Sequence, residues 1–141
     1  MAGYRMESPL ITLDTSGLYA LVNRRDPDHA KVKEAFAADG GPYLLPAGIL
    51  AEIGYLLERR LGARVLDAVL ADLESRALSL DCGEDDLPRV RELVARHEDL
   101  PLGLADAIVI ACAERQGGRV LTLDSDFAVV AREGKISLVP A

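Results

Sequence analysis

The chain has no tryptophan, two phenylalanines and four tyrosines among its 141 residues. A core built on aromatic rings is therefore excluded. The hydrophobic half of the chain must pack through Leu, Val, Ile and Ala, the usual material of buried sheets under close-packed helices. Cysteine is nearly absent as well. Cys82 and Cys112 lack the short paired spacing of a zinc site and form no disulfide framework. Cys112 falls in an apolar helical stretch and reads as a small core residue, and Cys82 falls in a loop. No run of about 20 apolar residues exists, because Asp106 interrupts the longest one, and the opening MAGYRMESPLITLD holds no apolar signal core. The expectation is a soluble, cytoplasmic protein with reduced thiols and no membrane partner. Basic residues are outnumbered, 16 Lys and Arg against 23 Asp and Glu, for a formal charge of −7. Taken by itself that argues against a general nucleic-acid binder, because phosphate contacts need cations. A phosphate-cradling GxxxxGK loop is missing, neither cysteine has a nearby basic partner in sequence to suggest thiol catalysis, and the two histidines, His29 and His97, fall on polar helix faces.

What is present is an alternation of strand and helix patterns over one domain's length, residues 1–141, with 1–8 read as a flexible N-terminal segment. Short apolar runs at 9–13, 43–46, 77–81, 119–124 and 135–139 predict strands, the last at an edge. Helical spacing predicts helices over 15–26, from about Asp28 to 38, and over 47–62, 64–75, 84–99 and 103–117, with a helical turn or loop after Asp124. Val65, Leu66, Val69, Leu70 and Leu73 lie at core spacing in the fourth helix, and Pro88 fits a first turn. The alternation predicts an α/β domain with a mainly parallel sheet of four to five strands flanked by helices. In such a sheet functional groups gather beyond the carboxyl ends of the strands.

The informative residues are acids in apolar surroundings. Asp14 follows LITL and Asp124 follows RVLTL, each at a predicted strand end; Glu52 sits in GILAEIGYLL and Asp106 in LGLADAIVIA. Each has a structural explanation: Asp14 and Asp124 as helix caps, Asp126 as a turn residue, Glu52 on a polar helix edge, Asp106 favouring a helix N-terminus. Taken together, they occupy positions that a parallel sheet brings to one edge, where like charges raise one another's pKa. A divalent cation removes that penalty, and all-oxygen ligation suits Mg²⁺ or Mn²⁺ rather than zinc. Such an ion activates water and stabilises the leaving oxygen of a phosphodiester.

LDTSGL (13–18), LAEIGYLL (50–57), LADAIVIACAERQG (104–117) and VLTLDSDF (120–127) resemble the motifs of PIN-domain ribonucleases, most closely the VapC-type toxins of bacterial toxin–antitoxin pairs. The resemblance spans nearly the whole chain in the right order. It implies a metal site of Asp14, Glu52, Asp106 and Asp124 with Asp126 as an accessory acid, a metal-activated water attacking the RNA phosphate, and supporting roles for the hydroxyls of Ser16 and Thr122. Ser16 equally suits a helix cap. The resemblance also implies homodimers and an antitoxin whose C-terminal segment occupies the cleft. Two Mg²⁺ ions would change the formal charge from −7 to −7 + 4 = −3. The candidate RNA contacts are Arg24, Arg25, Arg59, Arg60 and Arg64, of which Arg59 and Arg60 lie about two turns beyond Glu52.

Other classes remain. An RNA-processing nuclease with the same site would have no antitoxin, and a non-catalytic metal-binding interaction domain would hold an ion and cleave nothing. A haloacid-dehalogenase-type phosphatase calls for an acid two residues after Asp14, where Ser16 stands, and a receiver module calls for a late lysine, for which Lys135 at the start of an edge strand is a poor fit.

Overall fold

The computed structural model describes residues 10–39, 41–96 and 103–140. His97, the end of the predicted 84–99 helix and the N-terminal segment lie outside the described residues. The strands are β1 (Ile11–Leu13), β2 (Tyr43–Pro46), β3 (Ser79–Asp81), β4 (Arg119–Leu121) and β5 (Ser137–Val139). They form one parallel sheet in the order β3-β2-β1-β4-β5. β1 and β2 are buried along their whole length, which is why they read as unbroken apolar runs rather than alternating ones.

The helices are α1 (Thr15–Val22), α2 (His29–Asp39), α3 (Leu50–Leu61), α4 (Ala63–Glu74), α5 (Leu87–Arg96), α6 (Leu104–Arg115) and α7 (Phe127–Ala131). α6 is the central one. Ala107, Val109, Ile110, Ala111, Cys112 and Ala113 are all buried, and the helix packs against β1, β2 and β4. Three of those six are alanines, so the helix backbone can sit close to the sheet. α3 and α4 form a hairpin about Gly62, which ends one helix and begins the next at φ +97°, a conformation costly for any residue with a Cβ.

Several expectations are corrected. The predicted strand 119–124 ends at Leu121, because Thr122 and the residues after it turn to hold a carboxylate. The helices expected from 47 and 84 begin as single 3₁₀ turns, Ala47–Ile49 and Glu84–Asp86. Leu70 is 42% exposed rather than core, since α4 packs on α3 through a narrow stripe. β3 is an edge strand with Ser79 and Leu80 exposed. His29 is half-buried, and its Nδ1 lies 2.8 Å from the Ala20 carbonyl, tying α2 to α1. Among the described residues no helix is long and apolar enough to cross a membrane.

The chain runs from β1 to β2 to β3 on one side, then returns to β4 on the other side of β1. The strand order therefore reverses between β1 and β4, where an open α/β sheet leaves a crevice. α1 closes onto that point without a side chain between. A Cβ at Gly17 would lie 2.3 Å from the Leu121 carbonyl oxygen and 2.8 Å from its carbon, and the same oxygen accepts the Asp14 N–H at 3.1 Å. Gly17→Ala is therefore expected to push α1 off β4, costing roughly 1–3 kcal/mol and displacing Asp14. Urea unfolding checks this, and unchanged stability would refute the close approach.

Candidate active site

Asp14 stands at the N-cap position of α1 but makes no side-chain cap bond there. Its carboxylate is buried and turned toward the β4–α7 loop. Thr122 Oγ1 donates to Asp14 Oδ2 at 2.7 Å and Ser16 Oγ donates to the same oxygen at 2.9 Å. Each hydroxyl also accepts a backbone N–H: Ser16 from Leu123 at 2.9 Å, Thr122 from Asp124 at 3.0 Å. With one proton spent on Asp14 and a lone pair filled from the backbone, both hydroxyls are fixed, and so is the carboxylate. Ser16 does not cap its helix.

Asp124 is half-buried three residues beyond the end of β4, and its Oδ1 accepts the Asp126 N–H at 2.9 Å. Asp126 follows at the entry to α7. Asp106 lies in the first turn of α6 and accepts the Gly103 N–H at 3.3 Å, so its expected helix-terminus role and its place at the site coexist. Glu52 is exposed in the first turn of α3 and accepts from Thr15 Oγ1 at 3.2 Å. That bond ties α3 to the residue after Asp14. Thr15 was not singled out in the sequence, because 37 positions separate it from Glu52 and no local pattern marks the pair.

The electrostatics separate these acids from the rest. Burial raises the Asp14 pKa above its ordinary value, against the opposing pull of its hydrogen bonds, and the neighbouring Asp124 charge raises it further. Burial raises Asp106 to about 6, the Gly103 N–H opposes this, and the charges of Asp14, Asp124 and Asp126 add to the rise. Four aspartates thus share one field. Among the described residues none of them forms an ion pair with a Lys or Arg, and neither does Glu52. Asp39, Asp81, Asp86, Glu92, Glu114 and Glu133, elsewhere in the fold, do. Arg115 grips Asp86 through Nε at 2.7 Å and also bonds Asp81, and it holds the Asp81 carboxyl below its usual range. Arg89 binds Glu114 through two bonds of 2.8 Å, Arg96 binds Glu133 and Arg119 binds Asp39. Buried acids with a cation are structural; those without one lack the compensation that burial demands. Cys112 is a further buried ionisable group, and burial pushes its thiol up to about 12, so it is inert as a nucleophile at neutral pH.

Among the described residues no three His, Cys, Asp or Glu side chains converge closely enough to grip an ion as the chain stands. The donor set nevertheless suits a hard divalent cation: it is all oxygen, it carries uncompensated negative charge, and Asp14 is held in place by two hydroxyls.

A stability prediction follows from Asp106. Its folded pKa of about 6 exceeds the ordinary 3.8, so the native state binds this proton more tightly than the unfolded chain does. The stability it contributes is complete below about pH 3.8 and is lost as pH rises through about 6. In metal-free buffer the stability of wild type relative to Asp106→Asn is expected to fall between about pH 4 and pH 7. Denaturant titrations at several pH values measure this, and a flat difference would mean Asp106 is not in the shared field.

The family model described as PIN domain matches residues 11–133. Ribonuclease VapC26 of Mycobacterium tuberculosis is 31% identical over 133 residues, covering 91% of this chain and 98% of the relative. The crystal structure of VapC20 of Mycobacterium tuberculosis, described as a sarcin–ricin loop cleaving toxin, superposes with a TM-score of 0.76 at 26% identity, over 85% of this chain and 94% of that one.

Proposed function

The chain belongs to the PIN-domain family, and from that premise we propose that it is an endoribonuclease toxin of the VapC type that hydrolyses RNA phosphodiester bonds with Mg²⁺ or Mn²⁺. The observation that carries the reading is the set of four neighbouring aspartates without a cationic partner near the β1/β4 switch point, where the sheet leaves its crevice.

Asp14, Glu52, Asp106 and Asp124 are assigned to the metal, with Asp126 as an accessory acid. When bound, the ion supplies an activated water at neutral pH and a counter-charge for the phosphate oxygens. The chain's own groups prepare that site. Ser16 and Thr122 fix the rotamer of Asp14, and Thr15 steers Glu52 from the neighbouring helix. The turn from Asp124 to Asp126 fixes the backbone of the β4–α7 loop. Arg24 and Arg25, exposed in the turn after α1, and Arg59 and Arg60 on α3 are assigned to RNA phosphates. Arg64 is exposed at the start of α4. The similarity to VapC proteins supports a cytoplasmic location, a small antitoxin partner and a homodimer as part of the same proposal. The whole of residues 1–141 is assigned to this one domain.

Purified protein incubated with total cellular RNA tests the reading. Discrete products that require Mg²⁺ or Mn²⁺ and disappear with EDTA are expected. Metal binding with no cleavage of any RNA would overturn it in favour of a non-catalytic metal-binding domain. A neighbouring gene product that abolishes cleavage on mixing is the expected sign of the antitoxin.

A further inference from the structure

The carboxyl edge of the sheet opens a second time, on the β2–β3 side. Where Pro46 of β2 pairs with Asp81 of β3, a cavity of about 200 Å³ lies among the strand ends, the turn before α5, and α6, and none of Asp14, Glu52, Asp106, Asp124 and Asp126 lines it. Its wall includes Val90 and Cys112, both buried, and Ile108, half-buried. Cys82, the other cysteine of the chain, lines the same space from an exposed position at the mouth. Apolar cavities of about 150 Å³ hold a benzene ring, so this one has room for a ring and one further carbon. Its acids set the charge of what enters. Asp81, Glu84 and Asp86 line it. Arg115 bonds Asp86 through Nε at 2.7 Å and Nη2 at 2.9 Å, and Asp81 through Nη1 at 3.2 Å. The guanidinium is thus committed to two carboxylates, while Glu84 is exposed and, among the described residues, pairs with no cation. Three carboxylates against one guanidinium leave a surplus of negative charge. That charge is felt inside: burial raises the Cys112 pKa most, and the charges of Asp81 and Asp86 add to the rise. A field that disfavours a thiolate disfavours any anion and favours a cation.

We infer that this cavity is a binding site for a small hydrophobic amine, its ring or short aliphatic body seated against Val90, Ile108 and Cys112 and its ammonium held at the mouth by Glu84. The inference stands apart from the ribonuclease reading and adds a second site to the domain. Small-molecule sites combine an apolar wall with a few polar groups that fix orientation, and both are present here. The body gains by leaving water for an apolar wall. The ammonium stays at the rim, where Glu84 is the acid with charge to spare and solvent still reaches it, so no bare charge is buried. A phosphate or carboxylate ligand is excluded by the same geometry, because Arg115 is already spent on Asp81 and Asp86. A neutral molecule of equal shape fits the wall but leaves Glu84 unanswered.

The test is calorimetric titration of the full chain at neutral pH with benzylamine, benzyl alcohol and benzoate, three probes of nearly equal shape that differ in charge. Benzylamine is expected to bind saturably, benzyl alcohol about fivefold more weakly, and benzoate not at all. Bound benzylamine is also expected to slow alkylation of the Cys82 thiol by iodoacetamide, read by mass spectrometry, because that thiol stands at the mouth. Glu84→Gln is expected to remove the advantage of benzylamine over benzyl alcohol. Asp85→Asn, one residue on and outside the cavity, is expected to keep it. Ile108→Phe, which places a larger side chain in the space, is expected to abolish binding of both. Glu84 is an exposed residue, so its variant folds and the test stands even where Ile108→Phe does not. The proposal is overturned if benzylamine fails to bind, if Glu84→Gln binds it with wild-type affinity, if benzyl alcohol or benzoate binds as tightly, or if saturating benzylamine leaves Cys82 labelling unchanged. RNA cleavage enters none of these readouts, so the fate of the ribonuclease reading does not decide them.

Discussion

Asp14→Asn is expected to reduce metal-dependent RNA cleavage by at least roughly two orders of magnitude while the protein stays folded. The size follows from the proposed role of Asp14 as a charged ligand, since a metal contributes several kcal/mol of transition-state stabilisation and each 1.36 kcal/mol is about tenfold in rate. The survival of the fold follows from local geometry. Both Ser16 and Thr122 donate to one oxygen, Oδ2, so an Asn with its carbonyl oxygen in that place keeps both bonds. The folded state gains electrostatically, because burial and the charge of Asp124 disfavour ionised Asp14, and the amide carries no charge to desolvate. Without metal the variant is therefore expected to melt at or above the wild-type temperature, and adding Mg²⁺ or Mn²⁺ should raise the melting temperature of wild type more than that of the variant. Cleavage rates and thermal melts with and without metal measure both halves. A marked loss of metal-free stability would show that Asp14 is a structural residue instead.

Val109→Asp is expected to have the largest effect on stability. Val109 is fully buried in the middle of α6, with Ala107, Ile110 and Ala113 equally inaccessible beside it. The helix packs directly on β1 and β4. A carboxylate there would be desolvated without a cation, a loss of more than about 4 kcal/mol, which approaches the whole stability of a domain this size. Val109→Ala separates charge from volume, since removing two methyl groups costs about 2 kcal/mol and should leave a soluble, cooperatively unfolding protein. Circular dichroism and solubility distinguish the two. A soluble, folded Val109→Asp would contradict the place of α6 at the centre of the core.

The same helix shows how far the sequence carries. Its run of AIVIACA required burial on nearly every side, and the fold buries it so; Asp106 was visible because it breaks that run. Asp14 was visible for a related reason, as a charge at the end of a strand that has no polar face. Hydrophobic periodicity is a property of adjacent residues, so the strand–helix alternation, the parallel α/β class and the odd acids were all determined locally, and so were the PIN-like motifs. Partners distant in the chain were not. The 29-residue separation of Arg115 from Asp86 makes one buried acid structural, and nothing in EDDLP distinguishes it from an acid awaiting a metal. The hydroxyls of Ser16 and Thr122 are 106 positions apart yet 3.2 Å from one another, a meeting that exists because β4 returns beside β1. Likewise β3 read as apolar as its fellows, and only the strand order left it at an edge. His29 read as solvated until α2 folded back on α1. Which carboxylates lack a cation, and therefore have charge left for an ion, depends on which side chains the crossovers deliver to each end of the sheet. Coulomb and desolvation energies depend on distance in space, and that distance is fixed by tertiary structure.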